Sequence, residues 1–364
     1  MIRITKNICL VSPFPPPYGG MAIQAQKMGS LLRQSGFNVL EVKTNPEPAK
    51  RFHFIEKIKG FRTLPRLFLF LYHLHKTLPH VEVVYFLTGF FNFFFWVTFP
   101  ALILIKLHGK RVVLSARGGE ARRFFEKYGL LIKPILKMVD SISVPSEFLR
   151  DAFWEGLNLK TTIVPNIADI GQFKFYERYP VRPRLLNTRN LDKIYNVGCT
   201  IKAFKIVHEQ FPESSLGLVG DGSERQELEH LVKELGLNHS VTFYGAVEHS
   251  KISNLYDQYD IYVNASNVDN MPGTILEAFA SGLPVVSTNV GGIPYIIEDE
   301  TTGLLVEKED YESMALKVIE LLRNPEKALT LAQNARVECQ KYLWENVKTI
   351  LIPLLERYIS DAKN

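Results

Sequence analysis

The sequence predicts an α/β protein of two domains, each built on a parallel β-sheet with helices on both faces. The chain has 364 residues, which is more than one hydrophobic core usually serves. Its composition is that of an average globular protein, with 46% apolar and 22% charged residues. Short apolar runs alternate with amphipathic helical stretches along the whole chain, and this alternation is typical of strand–helix–strand units.

The predicted strands fall into two series, one for each sheet. The first series is Asn7–Ser12, Phe37–Val42, Val81–Phe86, Arg111–Ser115, Ser141–Val144 and Thr161–Val164. The second is Arg184–Asn187, Leu216–Val219, Val241–Phe243, Ile261–Asn264, Pro284–Thr288 and Gly303–Val306. We therefore predict a first domain over 1–165, a linker over 166–183, a second domain over 184–343, and a terminal helix in 344–364 that packs back on the first domain.

One predicted helix has both a start and a stop signal. Its apolar residues recur on one helical face: Leu228, Leu231, Val232 and Leu235. Ser223 and Gln226 stand before it in the spacing of a capping box, and Gly236 follows as a stop signal.

The charge is divided unevenly between the two halves of the chain. Residues 1–170 contain 23 Lys and Arg against 11 Asp and Glu, whereas the remaining residues contain 20 against 27. A basic half can attract nucleic acid or an anionic membrane surface. No RNA-binding signature, zinc-finger spacing or basic zipper is present, so we expect no nucleic-acid partner and keep the membrane surface as a candidate.

The three cysteines bear on location. Cys9, Cys199 and Cys339 lie far apart, without a C-x-x-C pair or nearby histidines. This spacing argues against a disulfide framework and a structural zinc site, and it favours a reducing compartment. We expect a cytoplasmic protein, with peripheral attachment to the inner face of the cell membrane as one option.

Two stretches raise the question of membrane contact. Val83–Ile105 has no charged residue and is long enough to cross a bilayer, but Gly89, Asn92 and Pro100 interrupt it, so a buried strand at its start is favoured over a span. Residues 50–76 interleave basic and aromatic side chains. They fit either a membrane-surface segment or a solvated basic face above a core-facing aromatic stripe.

The stretch from Asn264 to Pro294 is the richest in candidate chemistry. A strand ends at Asn264, a polar loop follows, and a helix is expected to open at Thr274. Ligands of parallel α/β sheets collect where strands end and helices begin, and a helix start suits a phosphate. Glu277 is either the capping-box partner of Thr274 or a carboxylate that accepts ribose hydroxyls, and both readings stay open.

The same stretch resembles a known family. Asp269 is followed by seven residues and Glu277, and then by Ala278, Ala280, Gly282, Pro284, Val285 and Val286. This pattern is similar to the E-x(7)-E and A-x-A-x-G-x-P-V-V motifs of the group 1, or family 4, retaining glycosyltransferases of GT-B fold, with Asp in place of the first Glu. Further matches cover nearly the whole chain in order: Ser143–Glu147, Val164–Asn166, Val219–Gly222, Phe243–Val247 and Gly291–Pro294.

The resemblance implies two Rossmann-like, doubly wound parallel-sheet domains that face each other across a cleft. It implies a retaining, metal-independent transfer of a sugar from a nucleotide-diphosphate-sugar donor to a hydroxyl of a glycan or lipid-linked acceptor. A UDP-sugar is favoured over a GDP-sugar, and the donor is a substrate, so no metal and no cofactor are expected. Positive potential near the leaving diphosphate would do the main catalytic work.

The resemblance also assigns roles to residues. Glu277 would hold the ribose, Arg189 would grip the diphosphate, and Asp269 would face the donor sugar. The donor side would be completed by Asn270, Met271, Pro272, Gly273 and Thr274, by the glycine loop at Gly19 and Gly20, and near the base by Gly222, Gly245 and Val247. From the residues alone, Arg189 could equally be a surface arginine and Gly19–Gly20 a tight turn.

Two positions depart from the family pattern. Tyr195 stands where the family has a phosphate-binding lysine, with Lys193 as the nearest substitute. Arg117 stands where the family has a histidine, and it could stabilise charge but cannot accept a proton. These departures, together with Asp269, leave a second hypothesis, a catalytically degenerate nucleotide-sugar-binding partner of another glycosyltransferase.

Overall fold

The computed structural model describes residues 6–16, 19–46, 63–168, 170–248 and 250–361, and the chain folds into two compact units. The first unit is Met1–Ile167 together with Trp344–Asn364, and the second is Ala168–Leu343. A strand is present at each of the twelve places where the sequence predicts one.

The first unit holds one parallel sheet. Its strands are β1 Lys6–Ser12, β2 Phe37–Lys43, β3 Val83–Thr88, β4 Arg111–Ala116, β5 Ser141–Val144 and β6 Thr162–Ile163. Its first helices are α1 Gly20–Gln34, α2 Thr63–Thr77, α3 Phe99–Leu107, α4 Ala121–Leu136 and α5 Glu147–Leu157. Within the described residues the strand order is β2-β1-β3-β4-β5-β6, with every pair parallel.

The alternation of side chains along β1 divides the first unit into two cores. Ile8 and Leu10 point to the side that α1 covers, where the helix Trp344–Asp361 also packs. Cys9 and Val11 point to the opposite side, which α2, α3, α4 and α5 cover. A strand with apolar residues on both faces is what a sheet covered on both sides requires.

The second unit repeats the architecture. Its strands are β7 Arg184–Asn187, β8 Ser215–Val219, β9 Val241–Gly245, β10 Ile261–Asn264, β11 Val285–Thr288 and β12 Leu304–Val306. Its helices are α6 Val197–Gln210, α7 Arg225–Glu234, α8 Ser253–Tyr256, α9 Gly273–Ser281, α10 Tyr311–Arg323 and α11 Pro325–Cys339, and the C-terminal helix Trp344–Asp361 is α12. Helices α6, α7 and α10 cover one face, and α8, α9 and α11 cover the other.

The strand order of the second unit locates its binding edge. Over the described residues the order is β12-β11-β10-β7-β8-β9, so the first strand, β7, lies between β8 and β10. The chain runs outward in one direction from β7 to β9 and in the other from β10 to β12. Ligands of such sheets bind at the carboxyl ends of the two strands where the direction reverses, which here are β7 and β10.

Helix α7 tests the predicted start and stop signals. The stop is confirmed, because Gly236 follows the helix with a φ of 72° that favours glycine. The Ser223 cap is wrong: the helix begins at Arg225, and both the backbone N–H and the hydroxyl of Ser223 donate to Asp192 Oδ1, at 3.0 and 2.9 Å. The hydrogen-bond partner of Ser223 is therefore the Asp192 carboxylate of a neighbouring loop and not the backbone of helix α7.

The region between the two strand series is tied into the second unit. The buried Arg178 guanidinium donates to the carbonyl oxygens of Tyr176, Tyr256, Tyr259 and Ser281, at 2.6 to 3.0 Å. Burial lowers the pKa of Arg178 to about 10, although nearby acids oppose this effect. Residues 168–183 are therefore grouped with the second unit.

The apolar stretch Val83–Ile105 forms strand β3, a π-helical turn at Phe94–Thr98 and most of α3. Across the described ranges, the structure has no helix whose length and apolar content would suffice for a bilayer crossing. Of the basic and aromatic stretch 50–76, residues 50–62 lie outside the described residues. In α2, Phe70 is buried while Phe68 and Tyr72 are exposed.

All three cysteines are free and buried. Cys9 lies in β1, Cys199 in α6 and Cys339 at the end of α11. Burial raises the pKa of the Cys199 and Cys339 thiols to about 11 and raises that of Cys9 further.

Candidate functional site

The candidate site lies at the carboxyl ends of β7 and β10 in the second unit. The two strands are neighbours, and Asn187 Nδ2 at the end of β7 donates to the Val263 carbonyl of β10 at 2.9 Å. Arg189 stands two residues beyond β7, and Asp269 stands on the loop that follows β10. Arg189 and Asp269 therefore lie at the same edge of the sheet.

Arg189 is the central cation of this edge and is only 8% exposed. Its Nη2 donates to the Asp269 carboxylate, and its Nη1 donates to Thr274 Oγ1 at 3.3 Å. Its guanidinium carbon lies 4.1 Å from the centre of the Tyr195 ring, a cation–π contact. Its Nε is buried and has no hydrogen-bond partner among the described residues. These contacts fix the Arg189 side chain in a buried position, so Arg189 is not a surface arginine.

The charge of Arg189 is secure. Burial alone would disfavour the guanidinium charge, but Asp269, followed by the tyrosines around it, more than offsets this and raises the pKa of Arg189. An arginine with its charge fixed and one N–H unpartnered can donate to an added anion.

The loop that carries Asp269 is shaped from two sides. Asp269 Oδ1 accepts from the backbone N–H of Asn270 at 2.8 Å, and the Asp269 carbonyl accepts from Gly292 N–H at 2.9 Å. A side chain on Gly291 or Gly292 would collide with the carbonyl groups of Asp269 and Asn270. The glycine turn after β11 therefore lets a second backbone close against the acidic loop.

Glu277 lies inside helix α9 and accepts a hydrogen bond from a buried tyrosine. The Tyr256 hydroxyl donates to Glu277 Oε2 at 2.9 Å and also lies 3.2 Å from the Thr274 carbonyl. The Tyr256 hydroxyl has one proton, and Glu277 and the Thr274 carbonyl can only accept it. The Thr188 hydroxyl, whose oxygen lies 2.8 Å from that of Tyr256, therefore donates to Tyr256. The Tyr262 hydroxyl stands 3.2 Å from Thr188 Oγ1 at the far end of this chain.

Tyr256 remains a donor because its phenol stays protonated. Burial, with the negative charge of Glu277 next, raises the pKa of Tyr256 well above its ordinary value. Burial likewise raises the pKa of Tyr262, although Arg189 opposes this. The hydroxyl chain therefore holds one oxygen of the Glu277 carboxylate in a fixed direction.

The capping-box alternative for Glu277 is wrong. Helix α9 begins at Gly273 with Pro272 as its N-cap, so Thr274 already lies in the first turn and cannot be the capping residue. The expected helix start at Thr274 was one residue late. Gly273 is exposed, and Asn270 and Met271 are buried beside the helix start.

We define the strand-end cluster as the side chains joined by these contacts. Its members are Thr188, Arg189, Tyr256, Asp269, Thr274 and Glu277. It has one guanidinium, two carboxylates and the positive end of α9, and it can therefore bind an anion and a hydroxyl-rich group side by side.

The remaining residues predicted for the donor side of the second unit lie on neighbouring turns. Gly220 supports the cluster directly, because its φ is +137° and a Cβ there would lie 2.5 Å from the Arg189 carbonyl oxygen. Gly222 packs just as closely against the Leu191 carbonyl. Gly245 accepts from Gly220 N–H at 2.8 Å and has a φ of 70°, and Val247 is partly buried against the core beneath α9.

Tyr195 and Lys193 lie in different surroundings. Tyr195 supports the flat face of the Arg189 guanidinium, as described above. Lys193 is exposed and lines a surface pocket with Glu224 and Glu227, which is a different environment. Tyr195 is therefore the side chain of this turn that contacts the cluster.

The first unit holds the other predicted residues. Gly19 is the N-cap of α1 with extended backbone, Gly20 opens the helix, and a Cβ on either would meet open space. Arg117 follows β4 and is buried, with its Nε donating to Ser115 Oγ at 3.1 Å and its Nη1 donating to Asn166 Oδ1. Its Nη2 is buried and has no partner in the described part of the chain.

In the described ranges, no group of three or more His, Cys, Asp or Glu side chains is placed so that it could hold a metal ion.

The sequence missed Tyr256 and Thr188 as site residues. Thr188 stands beside Arg189, so its position after a strand was a usable signal. Tyr256 belongs to the one-turn helix α8, and neither spacing nor a motif marks its approach to Glu277.

Two Rossmann-like units, each a doubly wound parallel sheet, define the class of this protein. Sucrose-phosphate synthase from Thermosynechococcus elongatus superimposes with a TM-score of 0.77 over 98% of this chain and 100% of its own, at 20% identity. HepE from Anabaena, in complex with UDP and glucose, superimposes with a TM-score of 0.71 over 97% and 100% of the two chains, at 17% identity. These likenesses confirm the GT-B fold.

The sequence comparisons find similarity to glycosyltransferases, chiefly in the second unit. Residues 172–338 match the model described as glycosyl transferases group 1. The sulfoquinovosyl transferase of Arabidopsis thaliana is 31% identical over 173 residues, which make up 47% of this chain and 32% of the plant protein. The chain aligns with 32 to 41% of the length of such curated relatives. The matched residues lie within the second unit, and the resemblance of the chain to group 1 glycosyltransferases of GT-B fold is confirmed.

Proposed function

We propose that this protein transfers a sugar from a nucleotide-diphosphate-sugar to a hydroxyl of a glycan or lipid-linked acceptor. The observation that carries the proposal is the strand-end cluster, which joins Arg189, Asp269 and Glu277 at the switch point of a group 1 glycosyltransferase domain. In such a transfer, negative charge builds on the leaving diphosphate, and its stabilisation is the main catalytic task.

Arg189 is the proposed diphosphate ligand. It is charged, it is held in place by the Tyr195 ring and Thr274, and its Nε has no protein partner. The first amides of α9 add positive potential beside it. These groups support a transfer that needs no metal.

Glu277 is the proposed ribose ligand. The Tyr256 hydroxyl donates to Oε2 and orients the carboxylate, and a carboxylate is a good acceptor for hydroxyl groups. Asp269 and the segment 270–274 are proposed to face the donor sugar, while Gly222, Gly245 and Val247 lie toward the base. A UDP-sugar is the proposed donor, which accords with the UDP in the HepE complex.

The first unit is proposed to bind the acceptor. Arg117, with only neutral side-chain partners, would stabilise charge during transfer, and Gly19 and Gly20 leave open backbone for phosphate. We propose that transfer retains the anomeric configuration, and that the protein works at the cytoplasmic side of a membrane.

The test is a donor panel with purified full-length protein. Calorimetry with UDP and GDP measures nucleotide affinity, and turnover of UDP-glucose, UDP-galactose and UDP-N-acetylglucosamine measures donor use, with and without EDTA. We expect tighter binding of UDP and turnover that EDTA leaves unchanged. Nucleotide binding without turnover of any common donor would contradict the transferase proposal, and NMR of the product anomer tests retention.

One observation favours the degenerate-partner alternative. Arg189 is already paired with Asp269, and the ring of Tyr195 contributes no charge where the family has a lysine. The variants Tyr195→Lys and Asp269→Glu discriminate between the proposals. Activity gained by the variants in an otherwise silent protein would favour the non-catalytic partner, whereas an active wild type that loses activity would favour the transferase.

A further inference from the structure

One helical layer of the first unit has an unusually apolar outer surface. Helices α2, α3, α4 and α5 share one core on the same face of the sheet, so their outer sides point the same way. Among the described residues, every large apolar side chain that is exposed in the first unit, except Ile350 of α12, lies on this layer. Single exposed apolar residues are ordinary, but a group on one face marks an interaction surface. We call it the outer helical face.

Helix α2 contributes a stripe at helical spacing. Leu64, Phe68 and Tyr72 recur every four residues and are exposed, with Phe68 exposed to 69%. Lys76 continues the stripe one turn on, and its ammonium lies 5.9 Å from the Tyr72 ring centre. The stripe is therefore aromatic in its middle and cationic at its end.

The neighbouring helical segment continues the surface. Trp96 precedes α3, and Ile103 and Leu107 lie one and two turns along its exposed side. The carboxyl ends of α2 and α3 meet, because His75 Nδ1 and His108 Nε2 are 2.9 Å apart. The two stripes consequently adjoin.

Helix α4 extends the surface further. Leu130 and Leu131 are exposed to 96% and 60%, and Met138 follows the helix on the same outer side. Tyr128 of α4 packs on Phe95, whose ring centre is 5.1 Å away, so α4 adjoins the segment that carries Trp96.

The charge of the outer helical face indicates which kind of partner it binds. Residues 63–157, which span all four helices of the layer, contain twelve Lys and Arg against seven Asp and Glu. Exposed cations on α4 flank the apolar pair: Lys127 and Lys137 stand on either side of Leu130 and Leu131. Apolar and aromatic side chains interleaved with cations match the interface of an anionic bilayer, where the rings enter the headgroup boundary and the cations meet lipid phosphates. A second copy of the chain would set two positively charged faces against each other.

We propose that the outer helical face binds an anionic lipid bilayer. This inference goes beyond the sugar-transfer proposal and does not depend on it, since it needs neither donor nor acceptor. The net positive charge of the layer, the aromatic stripe of α2 and the exposed leucines of α4 carry it together.

The test is sedimentation of the full-length protein with lipid vesicles. Wild type is expected to bind phosphatidylcholine vesicles that contain phosphatidylglycerol, to bind pure phosphatidylcholine vesicles far less, and to be released by salt. The double variant Leu130→Ser/Leu131→Ser and the single variant Phe68→Ser are each expected to lower the partition coefficient at least tenfold. The matched control is Leu316→Ser/Val337→Ser, two exposed apolar positions of the second unit, and it should bind as wild type does.

Three outcomes overturn the proposal. The first is absence of wild-type binding to the anionic vesicles, and the second is an equal loss of vesicle binding in the control variant. The third is a dimer in light scattering that Leu130→Ser/Leu131→Ser dissociates, which would mean that a second copy of the chain covers the face. Because the altered residues are exposed, unchanged thermal melting is the check that the variants are folded. A blue shift of tryptophan fluorescence on vesicle addition, smaller in Trp96→Phe than in wild type, gives an independent reading. Donor turnover without vesicles should stay at the wild-type level in all variants, which separates this test from that of the sugar-transfer proposal.

Discussion

Arg189 and Arg117 occupy comparable places in the two units, yet they are held in opposite ways. Each follows a parallel strand, is less than a tenth exposed and keeps one guanidinium nitrogen without a protein partner in the described ranges. Arg189 faces the carboxylate of Asp269, whereas Arg117 donates to the neutral oxygens of Ser115 and Asn166.

The difference concerns what each arginine offers to a ligand. Asp269 fixes Arg189 in direction but cancels part of its field, so an anion at Arg189 must also tolerate a carboxylate. The partners of Arg117 are neutral, so no carboxylate among them weakens the field of its guanidinium toward a ligand of the first unit. Arg189 is thus suited to orient a bound diphosphate, and Arg117 to act on charge that develops later.

The largest effect is expected for Arg189→Ala. The substitution removes the cation and leaves Asp269 unpaired beside the diphosphate, so kcat/KM for a UDP-sugar should fall about a thousandfold, or about 4 kcal/mol. Steady-state kinetics measure this, with Arg323→Ala, an exposed arginine on α10, as control. Adding Asp269→Asn to Arg189→Ala should restore part of the UDP affinity, and no recovery would show that Asp269 does not repel the nucleotide.

Arg117→Gln should separate turnover from binding. We expect kcat to fall about a hundredfold, since the cation proposed to stabilise developing charge is lost, while UDP affinity changes little. Calorimetry and kinetics on the same preparation measure both quantities. If UDP affinity falls as far as in Arg189→Ala, both arginines contribute to nucleotide binding, and the proposed difference between their roles is wrong.

Asp140→Asn extends the contrast to a structural carboxylate. Asp140 is partly buried, which raises its pKa, but hydrogen bonds from Lys106, Val112 N–H and Arg111 outweigh this burial and lower the pKa. A lowered folded-state pKa means stability that is present near neutral pH and lost as the pH falls below about 4. At pH 7 the variant should unfold about 2 kcal/mol more easily.

Denaturant melts at several pH values measure this effect. The gap between wild type and Asp140→Asn should narrow as the pH is lowered toward 3. A gap independent of pH would show that the carboxylate charge is not what Lys106 and Arg111 stabilise.

The smallest effect is expected for Tyr256→Phe. Loss of the hydroxyl removes the hydrogen bond that orients Glu277 Oε2, so UDP affinity should fall about tenfold, or about 1.4 kcal/mol. Tyr259→Phe is the matched control, because that hydroxyl bonds Tyr244 at 3.0 Å, outside the cluster. A loss of melting temperature without a loss of affinity would make Tyr256 a packing residue only.

Much of the fold could be predicted from the sequence because apolar alternation records buried parallel strands directly. The family resemblance assigned Arg189, Asp269 and Glu277 to the donor side, and the structure joins them in the strand-end cluster. The errors concerned competing hydrogen bonds. Ser223 carries the pattern of a cap, but Asp192, from a neighbouring loop, offers it a stronger acceptor. No local pattern records such a partner.

The hydroxyl chain and the outer helical face needed coordinates for a similar reason. Tyr256 reaches Glu277 only because α8 and α9 pack on one face of the sheet. The basic and aromatic composition around α2 allowed two orientations, and only the structure shows that Phe70 points to the core while Phe68 and Tyr72 point outward.

The three buried thiols make the chain convenient for spectroscopic labelling. Since Cys9, Cys199 and Cys339 are shielded and their raised pKa values keep them protonated at neutral pH, maleimide reagents should react with them slowly. A single cysteine introduced at an exposed position could therefore carry a fluorophore or spin label while the native residues remain in place.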